Sequence, residues 1–430
     1  MSPSCRRAEH QPGEVGQPGA GSVLGFARRI PRWVPHRRDD RVRSNAVDAG
    51  REVQPAVAPG PVTETRVEAS RRRLDRRYFP ELDGIRAVSI LLVFTVHVGT
   101  PFWAQVNGGT GVSIFFVLSG FLITTLALRE EASRGRLDLR AFYVRRIFRI
   151  YPLYFTVLAM YAVLLLGLGL FEDRREVFIR SLPYYLGFMP EVVRIGNFQP
   201  QPPFAGAWSL GIEEKFYLVW PLLGFALLAA RFRPRIAVLC VLVVGTVIGT
   251  LFSIFFYILA PYALIAMGCV AAVLAHRPEW TARVAVFARP WVLAALLAAL
   301  AVIQVSLPAI TEGMTAFVLY GVPVTLALIG IVAGDGPVNR FLTLRPLVFL
   351  GRISYAFYLS HNFGINGVQL VLPKTEFFQG FVAVPIGLAV AIAMAWVLHL
   401  VIERPMLRWG HRITARMRAR ESDASPAAAS

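Results

Sequence analysis

The 430-residue sequence has little lysine and little cysteine. Lysine occurs only at Lys215 and Lys374, so arginine supplies almost all of the positive charge behind the formal net charge of +18. The three cysteines, Cys5, Cys240 and Cys269, are too few and too far apart for a disulfide framework or a zinc site. The first residues also lack the apolar segment of a secretory signal peptide. We therefore expect no disulfide-stapled domain, no bound metal and no permanently bound cofactor.

Apolar residues are abundant and come in long blocks. They make up 55% of the chain, above the roughly 45–50% of an ordinary soluble domain, and the mean hydropathy is +0.52. Such blocks indicate an integral membrane protein rather than one large soluble core. The arginines lie in the tails and between the apolar blocks, as the positive-inside rule describes. Nucleic-acid binding would need these charges on one folded face, so we expect no nucleic-acid partner.

Ten apolar segments of roughly 17–25 residues are long enough to cross a bilayer as helices. We therefore predict an all-α, polytopic membrane protein surrounded by membrane lipids. A short apolar piece, residues 181–189 ("SLPYYLGFM"), is predicted to be re-entrant or interfacial rather than spanning. The ten predicted spans cover residues 84–104, 111–128, 150–170, 208–229, 236–253, 255–275, 287–307, 315–333, 346–366 and 381–402.

The polar segments set the predicted domain boundaries and the orientation. Residues 1–77 and 409–430 are predicted to be disordered basic tails on either side of a membrane domain at 78–408. Basic loops alternate with nearly uncharged ones, apart from the loop 171–207, which mixes both signs of charge. By the positive-inside rule both termini are predicted to be cytoplasmic. The high usage of arginine, alanine and proline indicates a high-GC bacterial source, so we expect the protein in a bacterial cytoplasmic membrane.

Two ionisable side chains interrupt the first predicted span, in the stretch "LDGIRAVSILLVFTVHVG" at residues 82–99. Arg86 and His97 are about three helical turns apart and so share one face. With Arg86 at the inner boundary, His97 is expected about 16 Å along the axis, near the middle of a hydrocarbon core about 30 Å thick. Ionisable residues at that depth usually mark a functional site. A neutral imidazole there suits a general base, whereas a bond to a neighbouring helix is the structural alternative.

Two arginines precede the third predicted span in "FYVRRIFRIYP". Arg146 and Arg149 have the i, i+3 spacing that places both guanidinium groups on one helical face. Guanidinium forks suit phosphate oxygens, so this face is a candidate phosphate site. The alternative is that both arginines only set the membrane topology. That alternative explains the charge but gives no reason for the shared face.

The fourth predicted span begins "WSLGIEEKFYLVWP" and carries carboxylates inside the membrane. Glu213 is expected roughly 7 Å below Trp208, a typical interfacial residue. An intramembrane carboxylate is costly unless it faces a cavity or a partner. Glu213 is therefore a candidate for binding an acceptor or orienting an imidazole. The structural alternative is an ion pair such as Glu214 with Lys215.

A second histidine lies in the ninth predicted span, in "GRISYAFYLSHN". His361 is expected at a depth close to that of His97, so the two imidazoles form a candidate pair; helix packing is the alternative role for His361. The second span contains "FFVLSGFLIT", in which Ser119 and Gly120 suit close helix approach.

Together these stretches resemble the acyltransferase family 3 membrane proteins, which O-acylate sugars and other hydroxyl-bearing molecules. One such motif is weak evidence, but six in the family's order, between residues 79 and about 408, are specific. The matching stretches are the Arg86–His97 spacing, "FFVLSGFLI", "RRIFRIYP", "WSLGIEEKFY", "GRISYAFYLSH" and "IERP" at 402–405.

The resemblance implies an acyl-CoA donor, most simply acetyl-CoA, used from the cytoplasmic side. It carries the family's catalytic histidine to His97 and the associated arginine to Arg86. The donor-binding arginines correspond to Arg146 and Arg149, and the motif glutamate to Glu213. His97 is then expected either to deprotonate the acceptor hydroxyl or to carry the acyl group itself, and the sequence does not separate the two routes.

The matching stretches also give candidate acceptor-binding residues. We expect Tyr217, Ser119 and His361 to contact the acceptor together with the motif glutamate. Ser360 stands where family members often have an aromatic residue, a departure that reshapes the pocket while leaving the histidine in place.

Three acceptors or functions are compatible with this sequence. The favoured one is acylation of a carbohydrate, glycolipid or glycosylated metabolite of the cell envelope. A second differs only in the acceptor, a secreted small molecule such as a macrolide antibiotic. A third, of another class, is a membrane transporter or flippase with a polar substrate path, which gives no special reason for the paired arginines.

Overall fold

The computed structural model describes residues 65–196, 198–252, 259–310 and 314–424. In this part of the chain every regular element is a helix, which confirms the all-α prediction. The α-helices in chain order are α1 (Arg66–Leu74), α2 (Pro80–Val96), α3 (Pro101–Ala104), α4 (Thr110–Arg134), α5 (Leu139–Ala162), α6 (Glu172–Leu186), α7 (Pro190–Ile195), α8 (Trp208–Pro221), α9 (Phe232–Phe252), α10 (Ala260–Ala275), α11 (Thr281–Phe287), α12 (Pro290–Ile310), α13 (Met314–Ala333), α14 (Pro337–Leu342), α15 (Arg345–Arg352), α16 (Ser354–Val371), α17 (Ala383–Leu398) and α18 (Arg404–Ala424).

Several helices are long and apolar enough to cross a membrane. By length and composition, four described helical stretches qualify, and a fifth qualifies if one bent pair of helices is counted as a single span. The predicted number of ten is not confirmed by this criterion, because several predicted spans are divided into shorter helices. The four stretches are Thr110–Arg134, Leu139–Gly167, Phe232–Gly249 and Phe377–Arg420, and the pair, bent by 98°, is Ala260–Ala275 with Pro278–Phe287.

The first predicted span, 84–104, is not one helix. Helix α2 begins with Pro80 in its first turn, where the missing N–H costs nothing, and it ends at Val96 with His97 as its C-cap. Gly99 then adopts a left-handed φ of 74°, and the next helix starts at Pro101. The Gly-Thr-Pro sequence therefore terminates the helix beside the histidine, and the imidazole lies at a helix end.

Two further segments differ from their predicted form. The predicted span 346–366 divides into α15 and α16, with Ile353 between them. The predicted re-entrant piece 181–189 is mostly the end of α6, with Pro183 inside that helix. The helix to which this piece belongs begins with a polar turn that contains Glu172. The piece is therefore not a separate apolar element.

Helices α4 and α10 pack closely because each has a glycine at the contact. A Cβ atom added to Gly120 would lie 1.9 Å from the carbonyl oxygen of Ile265, and one added to Gly268 would lie 1.9 Å from that of Val117. Small residues allow such backbone approach in membrane proteins. This packing confirms the predicted closeness at Gly120 and supports the neighbouring residue, Ser119, at the cavity described below.

Helices also occur inside both predicted tails. Helix α1 lies within the predicted tail 1–77 and starts with a capping box, in which Thr65 and Glu68 bond each other's backbone N–H groups. Arg73 ties it to the rest of the protein through the carbonyl of Gly334. Residues 1–64 lie outside the described residues. At the other end, α18 occupies most of the predicted tail 409–430, because one side of it packs on α5.

Candidate active site

The predicted arginines from two helices line one cavity. Arg86 on α2 and Arg146 and Arg149 on α5 all contribute to a cavity of about 260 Å³ that is also bounded by α4, α8 and α16. The i, i+3 spacing of the two α5 arginines thus places both on the cavity side, as the sequence predicted. The other predicted site residues on its wall are Ser119, Glu213 and Tyr217.

A buried acid that the sequence reading missed holds Arg86 in place. Asp83 is 5% exposed, and its Oδ1 atom accepts a hydrogen bond from Arg86 Nη1 at 2.9 Å. The other oxygen of Asp83 accepts a hydrogen bond from the hydroxyl of Tyr78. Burial, and secondly this hydrogen bond, raise the pKa of Tyr78 above its usual value. The i, i+3 spacing of Asp83 and Arg86 was a signal for this pair.

Arg146 is oriented by an aromatic ring. Its guanidinium carbon lies 4.4 Å from the centroid of the Tyr217 ring, a cation–π contact between α5 and α8. Within the described residues neither Arg146 nor Arg149 forms an ion pair with a carboxylate. Glu213 lines the same cavity, but it is outside ion-pair distance of both groups, so the two guanidinium groups remain available to an anionic ligand.

Three predicted residues form a hydrogen-bonded chain on the same wall. The Tyr217 hydroxyl donates to Glu213 Oε2 at 3.0 Å, so the Ser119 hydroxyl is the donor to the Tyr217 oxygen. Glu213 lines the arginine cavity, whereas Glu214 lines a separate cavity together with Lys215. The two adjacent carboxylates thus line different cavities. Arg146 and Tyr217 line both of these cavities, whereas Arg86 and Arg149 line that of Glu213. The predicted alternative ion pair is also absent from the described contacts of Glu214, because Lys215 pairs with Glu191 instead.

The two predicted histidines contact each other directly. His361 is 2% exposed, and its Nε2 atom lies 3.1 Å from Nδ1 of His97, with the ring centroids 4.6 Å apart. The two helices that carry these residues, α2 and α16, are far apart in sequence. The predicted pairing of the imidazoles at one level is therefore observed as a contact.

The hydrogen bonds around this pair define which nitrogens carry protons when both rings are neutral. Nδ1 of His361 lies 2.8 Å from the carbonyl oxygen of Tyr358, and because a carbonyl only accepts, this nitrogen is the donor. Its Nε2 is then an acceptor, and Nδ1 of His97 donates to it and to the carbonyl of Val93 at 3.0 Å. This arrangement leaves Nε2 of His97 with a free lone pair, as a general base requires.

Tyr358 connects the cavity to the histidine pair. The cavity wall includes Tyr358 but neither His97 nor His361. The Tyr358 hydroxyl donates to the carbonyl of Gly206 at 2.6 Å and so accepts from the Ser209 hydroxyl at 2.7 Å. The sequence reading did not single out Tyr358, although it lies one helical turn before His361. The site therefore has two parts, an arginine cavity and a histidine pair, with one tyrosine between them.

A comparison with known families identifies the chain. The model of a family described as an acyltransferase domain, acyltransferase family 3, matches residues 79–400. The chain belongs to this family. The match confirms the resemblance drawn from the six motifs, and it contains Arg86, His97, both α5 arginines, Glu213 and His361.

Curated relatives in the acyltransferase family 3 carry names that describe an activity. The chain is 31% identical over 192 residues to the peptidoglycan O-acetyltransferase OatA of Listeria monocytogenes, covering 44% of this chain and 30% of that protein. It is 26% identical over 375 residues to the O-acetyltransferase OatA of Staphylococcus aureus, covering 79% of this chain and 59% of that protein. The chain thus spans less than two thirds of these relatives. No solved structure matches.

Proposed function

We propose that this protein is an integral membrane O-acyltransferase that moves a short acyl group, such as acetyl, from acyl-CoA to a hydroxyl of a carbohydrate. The observation that carries the proposal is a two-part site, in which Tyr358 links a cavity lined by three arginines to the His97–His361 pair. One part of the site suits an anionic donor, and the other suits a proton transfer. The names of the relatives, both O-acetyltransferases, support the same reaction.

The arginine cavity is the proposed donor site. The phosphates of CoA are anions, and Arg86, Arg146 and Arg149 supply guanidinium groups for them. Pockets that enclose drug-sized ligands measure roughly 300–1,000 Å³, so a cavity of about 260 Å³ is too small for all of CoA. We propose that it holds the pyrophosphate and pantetheine part, with the adenosine outside. The thioester then has to pass Tyr358 to reach His97.

His97 is the proposed general base. Its Nε2 atom takes the proton from the acceptor hydroxyl as the hydroxyl oxygen attacks the thioester carbonyl carbon. The carbon–sulfur bond breaks, and the thiolate of CoA leaves and receives the proton from His97. His361 acts as a positioning residue, because it accepts the His97 Nδ1–H and so keeps the lone pair on Nε2. Glu213, Tyr217 and Ser119 are proposed to orient the acceptor or the donor through their hydrogen-bonded chain.

The proposed acceptor is a glycan of the cell envelope. The name of the Listeria relative states peptidoglycan as its acceptor, which supports a polymeric sugar for this chain as well. A glycolipid or a glycosylated small molecule presents the same hydroxyl chemistry and would need only a different entrance on the outer side of the membrane.

We further propose ten spans with both termini in the cytoplasm, and a membrane domain at 78–408 flanked by basic tails. The alternating basic loops support this orientation.

Donor binding tests the role of the arginines separately from catalysis. The double variant Arg146→Gln/Arg149→Gln should weaken CoA binding by about a hundredfold or more, since each of the two charge-assisted bonds to a phosphate contributes roughly 1.5–3 kcal/mol. Calorimetric titration of CoA into the purified protein measures this change. A matched control is Arg283→Gln/Arg289→Gln, which removes the same charge from residues that do not line the cavity. Equal affinity in wild type and in the cavity variant would overturn the donor site.

A further inference from the structure

Helix α18 carries one packed face and one exposed face. It extends the last apolar helix, so that the helical stretch runs without interruption from Phe377 to Arg420. A Cβ atom added to Gly410 would lie 2.8 Å from the Cβ of Phe148, which shows how closely α18 approaches α5. Further along, Arg418 forms an ion pair with Glu130 at 3.1 Å. The packed face is therefore anchored to α4 and α5, whereas the opposite face is exposed.

That opposite face carries a row of arginines at a regular spacing of four residues. Four residues rotate a helix by about 40° beyond one full turn, so the row winds slowly over roughly 24 Å while staying on the exposed side. Every member is exposed, and in the described part of the chain none forms an ion pair with a carboxylate. We call this row the arginine stripe; its members are Arg404, Arg408, Arg412, Arg416 and Arg420.

A groove of about 330 Å³ lies on this stripe. Its wall is formed by Arg408 and Arg412, by the indole of Trp409, which is 55% exposed, and by Pro405 and Met406. Two guanidinium groups one turn apart suit a phosphate oxygen cluster. The tryptophan, proline and methionine form an apolar wall, which a free phosphate ion would not contact.

We propose that this groove binds the phosphodiester headgroup of an anionic phospholipid. The groove lies directly beyond the apolar part of the helical stretch, where the helix leaves the hydrocarbon core, and tryptophan is enriched at that boundary. The arginines would contact the phosphate, and Trp409 and Met406 would contact the glycerol and the first methylenes of the acyl chains. Basic segments next to a membrane helix attract anionic lipids in this way. The lipid site is distinct from the proposed donor site and does not depend on the transferase activity.

Lipid binding by the full-length protein in detergent tests this proposal directly. Native mass spectrometry would compare retention of phosphatidylglycerol with retention of phosphatidylcholine, and a thermal unfolding assay would measure stabilisation by each lipid. Wild type should retain phosphatidylglycerol preferentially. The double variant Arg408→Gln/Arg412→Gln should lose roughly 20-fold in affinity, since each basic residue near an anionic surface contributes about fivefold.

Two controls make the outcome specific. The variant Arg340→Gln/Arg345→Gln removes the same charge from two exposed arginines away from the groove and should keep the lipid preference. Inorganic phosphate should not reproduce the stabilisation given by phosphatidylglycerol. Equal retention of both lipids by wild type, an unchanged preference in Arg408→Gln/Arg412→Gln, or equal stabilisation by inorganic phosphate would overturn the lipid site. Far-ultraviolet circular dichroism of each variant confirms that it is folded.

Discussion

The protonation of the histidine pair follows from two backbone carbonyls. Because the carbonyl of Tyr358 only accepts, Nδ1 of His361 is a donor and Nε2 of His361 is an acceptor. Nδ1 of His97 therefore donates to Nε2 of His361. The carbonyl of Val93 is a second acceptor of the same His97 Nδ1–H, at 3.0 Å. Both acceptors of the His97 Nδ1–H, the Val93 carbonyl and Nε2 of His361, favour the tautomer in which Nε2 of His97 is basic. His361 adds a side-chain contact that holds the orientation of the His97 ring.

Replacing His361 should therefore lower turnover without removing the donor. His361→Ala removes the side-chain acceptor of the His97 Nδ1–H and the ring that packs against it, and leaves only the Val93 carbonyl, so the His97 imidazole is held less firmly. We expect kcat to fall by about tenfold to a hundredfold, less than the roughly 10²–10⁴-fold that a general base contributes, with the KM for acyl-CoA unchanged. His361→Gln, whose amide oxygen reaches the position of Nε2, should recover most of the rate.

His276 offers a matched control for this prediction. Like His97, His276 follows the last residue of a helix, and its Nδ1 lies 2.9 Å from the carbonyl oxygen four residues earlier, but it lines a different cavity. His276→Ala should keep the wild-type kcat. An equal loss of kcat in His276→Ala and His361→Ala, or an unchanged kcat in His361→Ala, would contradict the positioning role of His361.

At the residue scale, the sequence identified the charged side chains of the site more completely than the residues that contact and orient them. Arg86 and Glu213 were found because charge inside an apolar span is rare, and the two α5 arginines because their i, i+3 spacing before a span places them on one helical face. Asp83 was missed, although it stands one turn before Arg86 inside the same motif. Tyr358 carried no unusual signal, since a tyrosine among apolar residues is ordinary and its role depends on contacts between distant helices.

At the scale of helices, glycine decides which elements meet. Gly120 and Gly268 let α4 and α10 approach until the backbone of one helix touches the other. Gly245 of α9 differs, because an added Cβ atom would meet nothing within 4 Å. The same residue type is thus required at one helix contact and dispensable on an exposed helix surface.

This difference gives a prediction with an internal control. Gly120→Ala should destabilise the protein by several kcal/mol, because its Cβ cannot fit at 1.9 Å from a backbone oxygen without moving a helix. Gly245→Ala should be neutral or stabilise by up to about 1 kcal/mol, since alanine is the better helix former. Thermal unfolding of the purified proteins measures both. A Gly120→Ala protein as stable as wild type would contradict the described α4–α10 packing.

The sequence predicted most helices but not where they break. Long apolar segments such as 111–128 and 236–253 coincide with α4 and α9 because nothing inside them disrupts a helix. The end of α2 at His97 was missed because the apolar pattern continues through Gly99 and Pro101, even though these two residues are strong termination signals. Helix α18 was missed because the many charged residues of segment 409–430 indicated a disordered tail. In the structure this segment is helical, because one side of it packs on α5.

For the whole molecule, the orientation rests on the loops. Arg134 ends α4, Arg136 lies in the loop between α4 and α5, and Arg140 lies in the first turn of α5. By contrast, α6 begins with Glu172 and Asp173 beside its own arginines. The positive-inside rule predicts that the α4–α5 connection is cytoplasmic. The proposed reaction needs this orientation, because the donor arginines of α5 lie in the half of the helix next to the basic loop.

Cysteine labelling tests the orientation. In a chain whose three native cysteines are replaced by serine, Glu176→Cys should react with a membrane-impermeant maleimide in intact cells. Arg136→Cys should react only after the membrane is permeabilised. Both positions are exposed, so a failure to react reports the side of the membrane rather than burial. The opposite labelling pattern would contradict the proposed topology.

The most direct test of the proposed function is the transfer of label from radiolabelled acetyl-CoA to a bacterial envelope extract by the purified protein. Wild type and the His276→Ala control should move label into a glycan fraction. His97→Ala should lose at least about a hundredfold of this activity, within the range expected for a general base, while still binding CoA. Equal transfer by His97→Ala, or no transfer by wild type with acetyl, propionyl or longer donors, would contradict the proposed function.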